Sequence, residues 1–238
     1  MQITKGKTAL ITGGSKGIGY GIAKSLLEQG LNVAITSRSQ QAADEAADSL
    51  SKYGSVIGIA SDVRDLAAEQ NAVEKTIARF GSLDVMIANA GVGHFAPITE
   101  MTSKQWQDVI DINLTGVFNS VKAGIKALID SKGYLITIAS LAGTNFFAQG
   151  AAYNASKFGL VGFTQAVMLD VRQHDVKVTT IMPGSVKSYF NNHDPNDKDD
   201  WKIQPEDLGQ MVVGLLEMNP RTLPSKIEVR PSKPPVRK

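Results

Sequence analysis

The chain has 238 residues, of which 42% are hydrophobic and 20% charged, with 22 glycines, a net charge of +2 and no cysteine. This is the composition of an ordinary globular protein and excludes a collagen-like, disordered or membrane-spanning chain. The missing cysteines exclude disulfides, thiolate metal sites and a cysteine nucleophile.

Residues 8–11 are a short apolar run that predicts a strand, and helical spacing through Ile22, Leu26 and Leu27 predicts a helix ending at Gly30. Residues 32–36 again read as a strand, and the alanine-rich, charged stretch 40–53 as an exposed helix. A strand at 56–60, a helix at 65–80 and a strand at 85–88 follow. A longer helix is expected from Ser103, with Thr102 as N-cap and Gln105 completing a capping box. A strand at 134–138, a helix at 153–171 and a strand at 176–182 continue the alternation. Pro205-Glu206-Asp207 opens a last helix, with two acids near the positive end of its dipole, and Ile227-Glu228-Val229 can close the sheet.

Strand runs buried on both faces, alternating with helices, predict an α/β fold with one doubly wound parallel sheet of about seven strands. A chain of this length can bury about 70–75% of its unfolded surface as one domain. One domain is therefore expected over residues 1–230, followed by a basic, proline-rich, solvated tail at 231–238. Residues 191–202, with the cluster Asp197-Lys198-Asp199-Asp200, are too polar for a core element. The three histidines, His94, His174 and His193, are scattered, so no metal site is expected. The small net charge argues against nucleic acid as a partner. No apolar run reaches membrane-spanning length and the N-terminus lacks a signal-peptide pattern, so the expected compartment is the cytoplasm, with no membrane partner.

Thr12-Gly13-Gly14-Ser15-Lys16-Gly17-Ile18-Gly19 lies between the first strand and the first helix. A helix N-terminus offers free N–H groups to a pyrophosphate, and glycines let the backbone approach closely. By itself this is also what any tight strand-to-helix turn looks like. The spacing Gly-x-x-x-Gly-x-Gly resembles that of the short-chain dehydrogenase/reductase family, and further matches follow in order: Asp62 after the third strand, Asn89-Ala90-Gly91 after the fourth, Asn113 in Asn113-Leu114-Thr115-Gly116, Ser140 at the end of the fifth strand, Tyr153 and Lys157 in a Tyr-x-x-x-Lys run, and Pro183-Gly184 after the sixth. Together, from residue 8 to about residue 190, they make the resemblance specific. Within the family it points to NADP-dependent members similar to 3-oxoacyl-[acyl-carrier-protein] reductases.

The resemblance implies a Rossmann-type fold and a nicotinamide cofactor held by Gly13, Ser15, Lys16, Gly17, Ile18, Gly19, Ser37, Arg38, Asp62, Val63, Asn89, Ala90, Gly91, Tyr153, Lys157, Pro183, Gly184, Val186 and Ser188. Ser188 stands where the family often has threonine. The second strand ends in Thr36-Ser37-Arg38-Ser39, without the acid that would accept from a ribose 2′-OH. Arg38 and Lys16 instead suit a 2′-phosphate, so the cofactor is read as NADP.

Tyr153 and Lys157 are four apart and share a helix face. An ammonium there is expected to lower the phenol pKa, so that Tyr153 exchanges a proton with a carbonyl or alcohol oxygen. Ser140 would hydrogen-bond the same oxygen. By the resemblance, Lys157 also holds the nicotinamide ribose and Asn113 positions a relay water. Phe146, Phe147, Tyr189, Phe190 and Trp201 are candidates for an apolar substrate wall, although little lid is expected after Pro183-Gly184.

The expected activity is hydride transfer between NADP(H) and a carbonyl or secondary alcohol. The substrate would be a 3-oxoacyl thioester, a small ketone, a sugar or a polycyclic compound. An acidic carrier protein would need a basic face, for which Lys132, Arg172 and Lys187 are candidates. Alternatives are a non-catalytic NADP(H)-binding sensor or assembly module, and an epimerase or dehydratase. The family resemblance implies a homo-oligomer, tetramer or dimer, although the C-terminal end departs from the family pattern.

Overall fold

The computed structural model describes residues 5–233. The part of the expected tail at 234–238 lies outside the described residues. Strands β1 (Thr8–Ile11), β2 (Asn32–Ser37), β3 (Val56–Ala60), β4 (Val85–Ala88), β5 (Tyr134–Ile138), β6 (Lys177–Pro183) and β7 (Lys226–Val229) form one sheet in the order β3-β2-β1-β4-β5-β6-β7. Every neighbouring pair is parallel. Helices α1 (Gly17–Glu28), α2 (Gln40–Leu50), α3 (Leu66–Phe80), α4 (Ser103–Ile110), α5 (Gly116–Ser131), α6 (Ala151–Val171) and α7 (Pro205–Glu217) surround it. None is long and apolar enough to cross a membrane.

The two-residue period of the strands splits the core into two layers. Ile11, Ile35, Ile87 and Ile136 face α1 and α7, packing with Ile22, Leu26, Val212 and Leu216. Their neighbours Leu10, Ala34, Met86 and Leu135 face α3, α5 and α6, packing with Val73, Val121, Leu128 and Leu160. Each such buried aliphatic side chain contributes roughly 1.5–3 kcal/mol. This is why the strand runs read as continuously apolar and not alternating.

Local signals place the helix ends. Thr102 and Gln105 form the expected capping box of α4. Asp65 accepts from the Ala67 amide at the start of α3, and Gly81, at φ 90°, ends it. Pro205 lies in the first turn of α7, with a second capping box between Gln204 and Asp207. The expected helix over 40–53 is shorter: α2 stops at Leu50, and a 3₁₀ turn, Ser51–Tyr53, leads to Gly54. The expected long helix from Ser103 is interrupted by a π turn, Asp111–Thr115, between α4 and α5.

The strand order reverses between β1 and β4, so their following loops diverge and leave a crevice beyond their carboxyl ends. The Thr12 amide donates to the Ile87 carbonyl at 3.0 Å, and the Thr12 hydroxyl accepts from the Asn89 and Ala90 amides at 3.0 and 3.1 Å. These bonds fix the glycine turn against the Asn-Ala-Gly turn.

Helices α1 and α7 meet through small residues. A Cβ added at Gly21 would lie 2.6 Å from the Pro205 backbone, which cannot yield as a flexible side chain would. Gly21→Ala is expected to destabilise the protein by roughly 1–3 kcal/mol through overpacking. Urea unfolding checks this, and an unchanged midpoint would show that the helices have slack.

Candidate active site

The glycine turn is a backbone surface. Gly13 and Gly17 have φ of +63° and +57°, the left-handed region that glycine tolerates. At Gly19 a Cβ would lie 2.6 Å from the Asn89 amide nitrogen and would displace it. That nitrogen donates to the Thr12 and Gly13 carbonyls at 2.9 and 3.1 Å. Helix α1 begins at Gly17 with no side-chain cap and no acid in its first turn, so its leading N–H groups and positive dipole end are directed to the crevice. The donor set fits a pyrophosphate. Ser188 reaches this turn from the loop after β6, its Cβ 3.4 Å from where a Gly17 Cβ would be.

Ser37 ends β2, and Arg38 beyond it is exposed, with no ion pair among the described residues. Lys16 is also exposed, with its ammonium 5.5 Å from the Tyr189 ring centroid. Asp62 is not free. Arg64 Nε donates to its two oxygens at 3.0 and 3.1 Å, and Arg64 Nη2 lies 2.5 Å from Oδ2. The Arg64 guanidinium holds the Asp62 carboxyl below its usual value, with a smaller contribution from Arg38. A ligand at Asp62 has to share these oxygens. Val63 next to it is buried and packs under Gly116.

Ser140, Tyr153 and Lys157 converge at the carboxyl end of β5. Lys157 is 4% exposed, and its ammonium donates to the Ile138 carbonyl at 3.1 Å. Burial pushes its pKa down to about 8. Gly91 lies beside it: a Cβ there would be 3.7 Å from Lys157 Nζ and 3.3 Å from Asn113 Oδ1. Ser140 Oγ accepts from the Ala142 amide at 3.1 Å, and its own hydroxyl hydrogen-bonds the Tyr153 phenol.

One expectation is corrected here. Burial raises the Tyr153 phenol above its usual value and the Ser140 hydroxyl pulls the other way, so the expected lowering is not found. Burial penalises the phenolate, and Lys157, with a pKa of about 8, has lost its charge in the range where a phenol titrates. The Asn113 side chain is held by protein partners. It accepts from the Val92 amide at 2.8 Å and donates to the Val92 carbonyl at 2.9 Å and to Ser156 Oγ at 3.1 Å. Asn113 thus ties the π turn to α6 and to the loop after β4.

The loop after β6 covers the site more than its sequence suggests. Val186 pairs with Ile203 in a parallel bridge. Asp199, within the polar stretch, is 4% exposed. His193 Nε2 and Lys202 Nζ each lie 2.5 Å from its carboxylate, and the Asn196 amide donates to it at 3.1 Å. Lys202 and His193 hold this carboxyl well below the usual range. The knot leaves Phe190 5.5 Å, centroid to centroid, from Tyr153.

Of the five expected wall aromatics, Phe147 and Phe190 join the Tyr153 cluster, whereas Phe146 is 86% exposed, Tyr189 faces Lys16 and Trp201 faces Lys202. Phe95 completes the cluster, 5.5 Å from Tyr153. Its sequence signal is its place just after Asn89-Ala90-Gly91, where the preceding loop enters the crevice. Asn154 was also missed. Buried next to Tyr153, it donates to the Ala142 and Asn145 carbonyls, both at 2.8 Å, and so holds the β5–α6 loop. His94 faces Asp108 on α4 at 3.8 Å.

The sequence model of the short chain dehydrogenase family matches residues 7–199. The chain is 35% identical to the 3-oxoacyl-[acyl-carrier-protein] reductase FabG of Escherichia coli over 185 residues, 77% of this chain and 75% of that protein. It is 30% identical to an uncharacterized oxidoreductase of Staphylococcus saprophyticus over 232 residues, 94% and 97% of the two chains. Among solved structures it is similar to an alcohol dehydrogenase of Thermococcus sibiricus complexed with 5-hydroxy-NADP, with a TM-score of 0.89, 26% identity and 95% and 97% coverage. It is also similar to a metagenomic short-chain oxidoreductase in complex with NADP, with a TM-score of 0.84, 32% identity and 97% and 99% coverage.

The buried Lys157 ammonium makes stability depend on pH. Its pKa of about 8 lies below the unfolded value of about 10.4, so the unfolded chain holds the proton to higher pH. Stability should therefore rise as pH increases through this interval. Lys157→Met should lack that rise and be more stable than wild type at pH 7, by roughly 3 kcal/mol at most. Chemical unfolding at a series of pH values measures both; parallel curves for the two proteins would contradict a desolvated charge.

Proposed function

Because the chain belongs to the short-chain dehydrogenase/reductase family of oxidoreductases, we propose that it transfers hydride between NADP(H) and a carbonyl or secondary alcohol, with Asn113, Ser140, Tyr153 and Lys157 as its catalytic group. The observation that carries this reading is the convergence of the Ser140 hydroxyl, the Tyr153 phenol and the buried Lys157 ammonium beside Gly91.

NADP(H), when bound, supplies or accepts the hydride. Gly13, Ser15, Gly17, Ile18 and Gly19 would hold its pyrophosphate through the backbone at the uncapped end of α1. Arg38 and Lys16, both exposed, would take the 2′-phosphate, while Ser37, Asp62 and Val63 would line the adenosine end. Asn89, Ala90 and Gly91 would support the middle, and Pro183, Gly184, Val186 and Ser188 would border the nicotinamide end. Two solved relatives with NADP-type ligands support the choice of NADP.

In the reducing direction the Tyr153 hydroxyl gives its proton to the carbonyl oxygen as hydride reaches the carbonyl carbon. Ser140, whose hydroxyl hydrogen-bonds the phenol before substrate arrives, donates to the same oxygen and stabilises the growing negative charge. The phenol is reprotonated through Lys157, whose ammonium is ready to lose a proton close to neutral pH. By the family resemblance Asn113 would position the relay water, while its side chain is held by Val92 and Ser156.

The substrate is better read as a small ketone than as a thioester on an acidic carrier. Lys132 precedes β5 and Arg172 precedes β6, so both lie at the amino ends of the strands, opposite Ser140 in the same chain. Lys132 is paired with Asp175 at 2.9 Å, and Lys187, the candidate near the site, with Asp200 at 2.7 Å.

Tyr153→Phe should reduce NADPH-dependent ketone reduction by about 10²–10⁴-fold while NADPH still binds. Retained turnover in this variant would remove Tyr153 from the reaction. Arg38→Glu should weaken NADPH relative to NADH, as read from the ratio of kcat/KM values. An unchanged ratio would mean that Arg38 does not meet the 2′-phosphate.

A further inference from the structure

The rings around Tyr153 narrow the substrate further. Phe95 lies 5.5 Å from Tyr153 at an interplanar angle of 66°, and Phe190 lies 5.5 Å from it at 56°. Phe95 also meets Phe190 at 6.2 Å and Phe147 at 5.8 Å. The three phenylalanines come from the loops after β4, β5 and β6; Phe95 and Phe190 meet the Tyr153 ring, and Phe147 joins them through Phe95.

Each ring is held. The Phe95 segment is tied to the Phe147 segment by the Ala96 amide donating to the Gln149 carbonyl at 3.0 Å. The Phe147 amide donates to Asn154 Oδ1 at 3.4 Å. Phe190 rests on Gly93, where a Cβ would come within 2.5 Å of its ring, and its loop is anchored by the Asp199 knot. Phe147 and Phe190 nonetheless remain 49% and 37% exposed, so aromatic surface faces the entrance. Among the described residues, no lysine or arginine lies over Phe95, Phe147 or Phe190. A charged substrate would lose its hydration here without a partner.

We propose that Phe95, Phe147 and Phe190 form a pre-organised aromatic slot beside Tyr153 that selects uncharged ketones carrying an aryl group next to the carbonyl. The tilted rings offer faces and edges, and a flat ring can pack edge-to-face or offset against them, where a saturated ring of equal bulk gains only contact area. Each such ring pair is worth roughly 2- to 10-fold in affinity. The slot rests on the reductase reading for its reaction but not for its binding preference.

The test therefore measures binding first. 1-Phenylethanol and 1-cyclohexylethanol are titrated calorimetrically into the enzyme saturated with NADPH, which cannot accept hydride from them. The phenyl compound should bind about tenfold more tightly, and Phe95→Leu and Phe190→Leu should each bring the two within about threefold. Equal binding in wild type overturns the slot. So does a preference that survives both substitutions and Phe147→Leu, which replaces the most exposed ring of the three. In parallel, kcat/KM is compared for phenyl and cyclohexyl methyl ketones. Phenyl-selective binding with no Tyr153-dependent turnover would uphold the slot and overturn the reductase reading. Turnover of both ketones with equal binding of both alcohols would do the reverse.

Discussion

Lys157 buries a positive charge at 4% exposure, and the rest of the site is arranged around that constraint. Its ammonium has one hydrogen-bond partner among the described residues, the Ile138 carbonyl at the end of β5. A desolvated cation with so few partners costs stability, and burial shifts its pKa down to about 8. The fold holds it there because Lys157 sits one helical turn from Tyr153 on α6, and α6 is fixed by its packing on β5 and β6. Functional sites commonly keep such unfavourable groups, at a stability cost set against proton-transfer ability.

The cofactor side depends on the junction of β1 and β4. The amide of Asn89 and the hydroxyl of Thr12 join two loops that the strand order would otherwise let diverge. The glycines act there through close approach as well as conformational freedom: Gly19 makes room for the Asn89 amide, and Gly91 for the Asn113 side chain. The glycine turn and the Ser140–Tyr153–Lys157 cluster thus meet across the Asn89-Ala90-Gly91 turn.

Most of the fold was legible because its signals are local. Apolar runs marked the strands, and Thr102, Pro205 and the glycine turn marked helix starts. The convergence of Ser140, Tyr153 and Lys157 was legible only through the order of motifs. What stayed hidden depends on long-range geometry. The π turn at Asp111–Thr115 exists because Asn113 bonds Val92 and Ser156, residues on other elements. The polar stretch after β6 conceals a buried carboxylate, because Asp199 finds His193 and Lys202 only once the loop has folded. Phe95 gave no periodic signal, since its partners come from two other loops.

Lys157 is a desolvated cation with a labile proton. An NMR pH titration of the protein with labelled lysine side-chain carbons tests it directly, with Lys157→Met to assign the signal. The account predicts one lysine titrating near pH 8, absent from the variant, apart from the usual group near about 10.4. If every lysine titrates in the usual range, the ammonium is solvated, and the proton-transfer role argued from its burial fails.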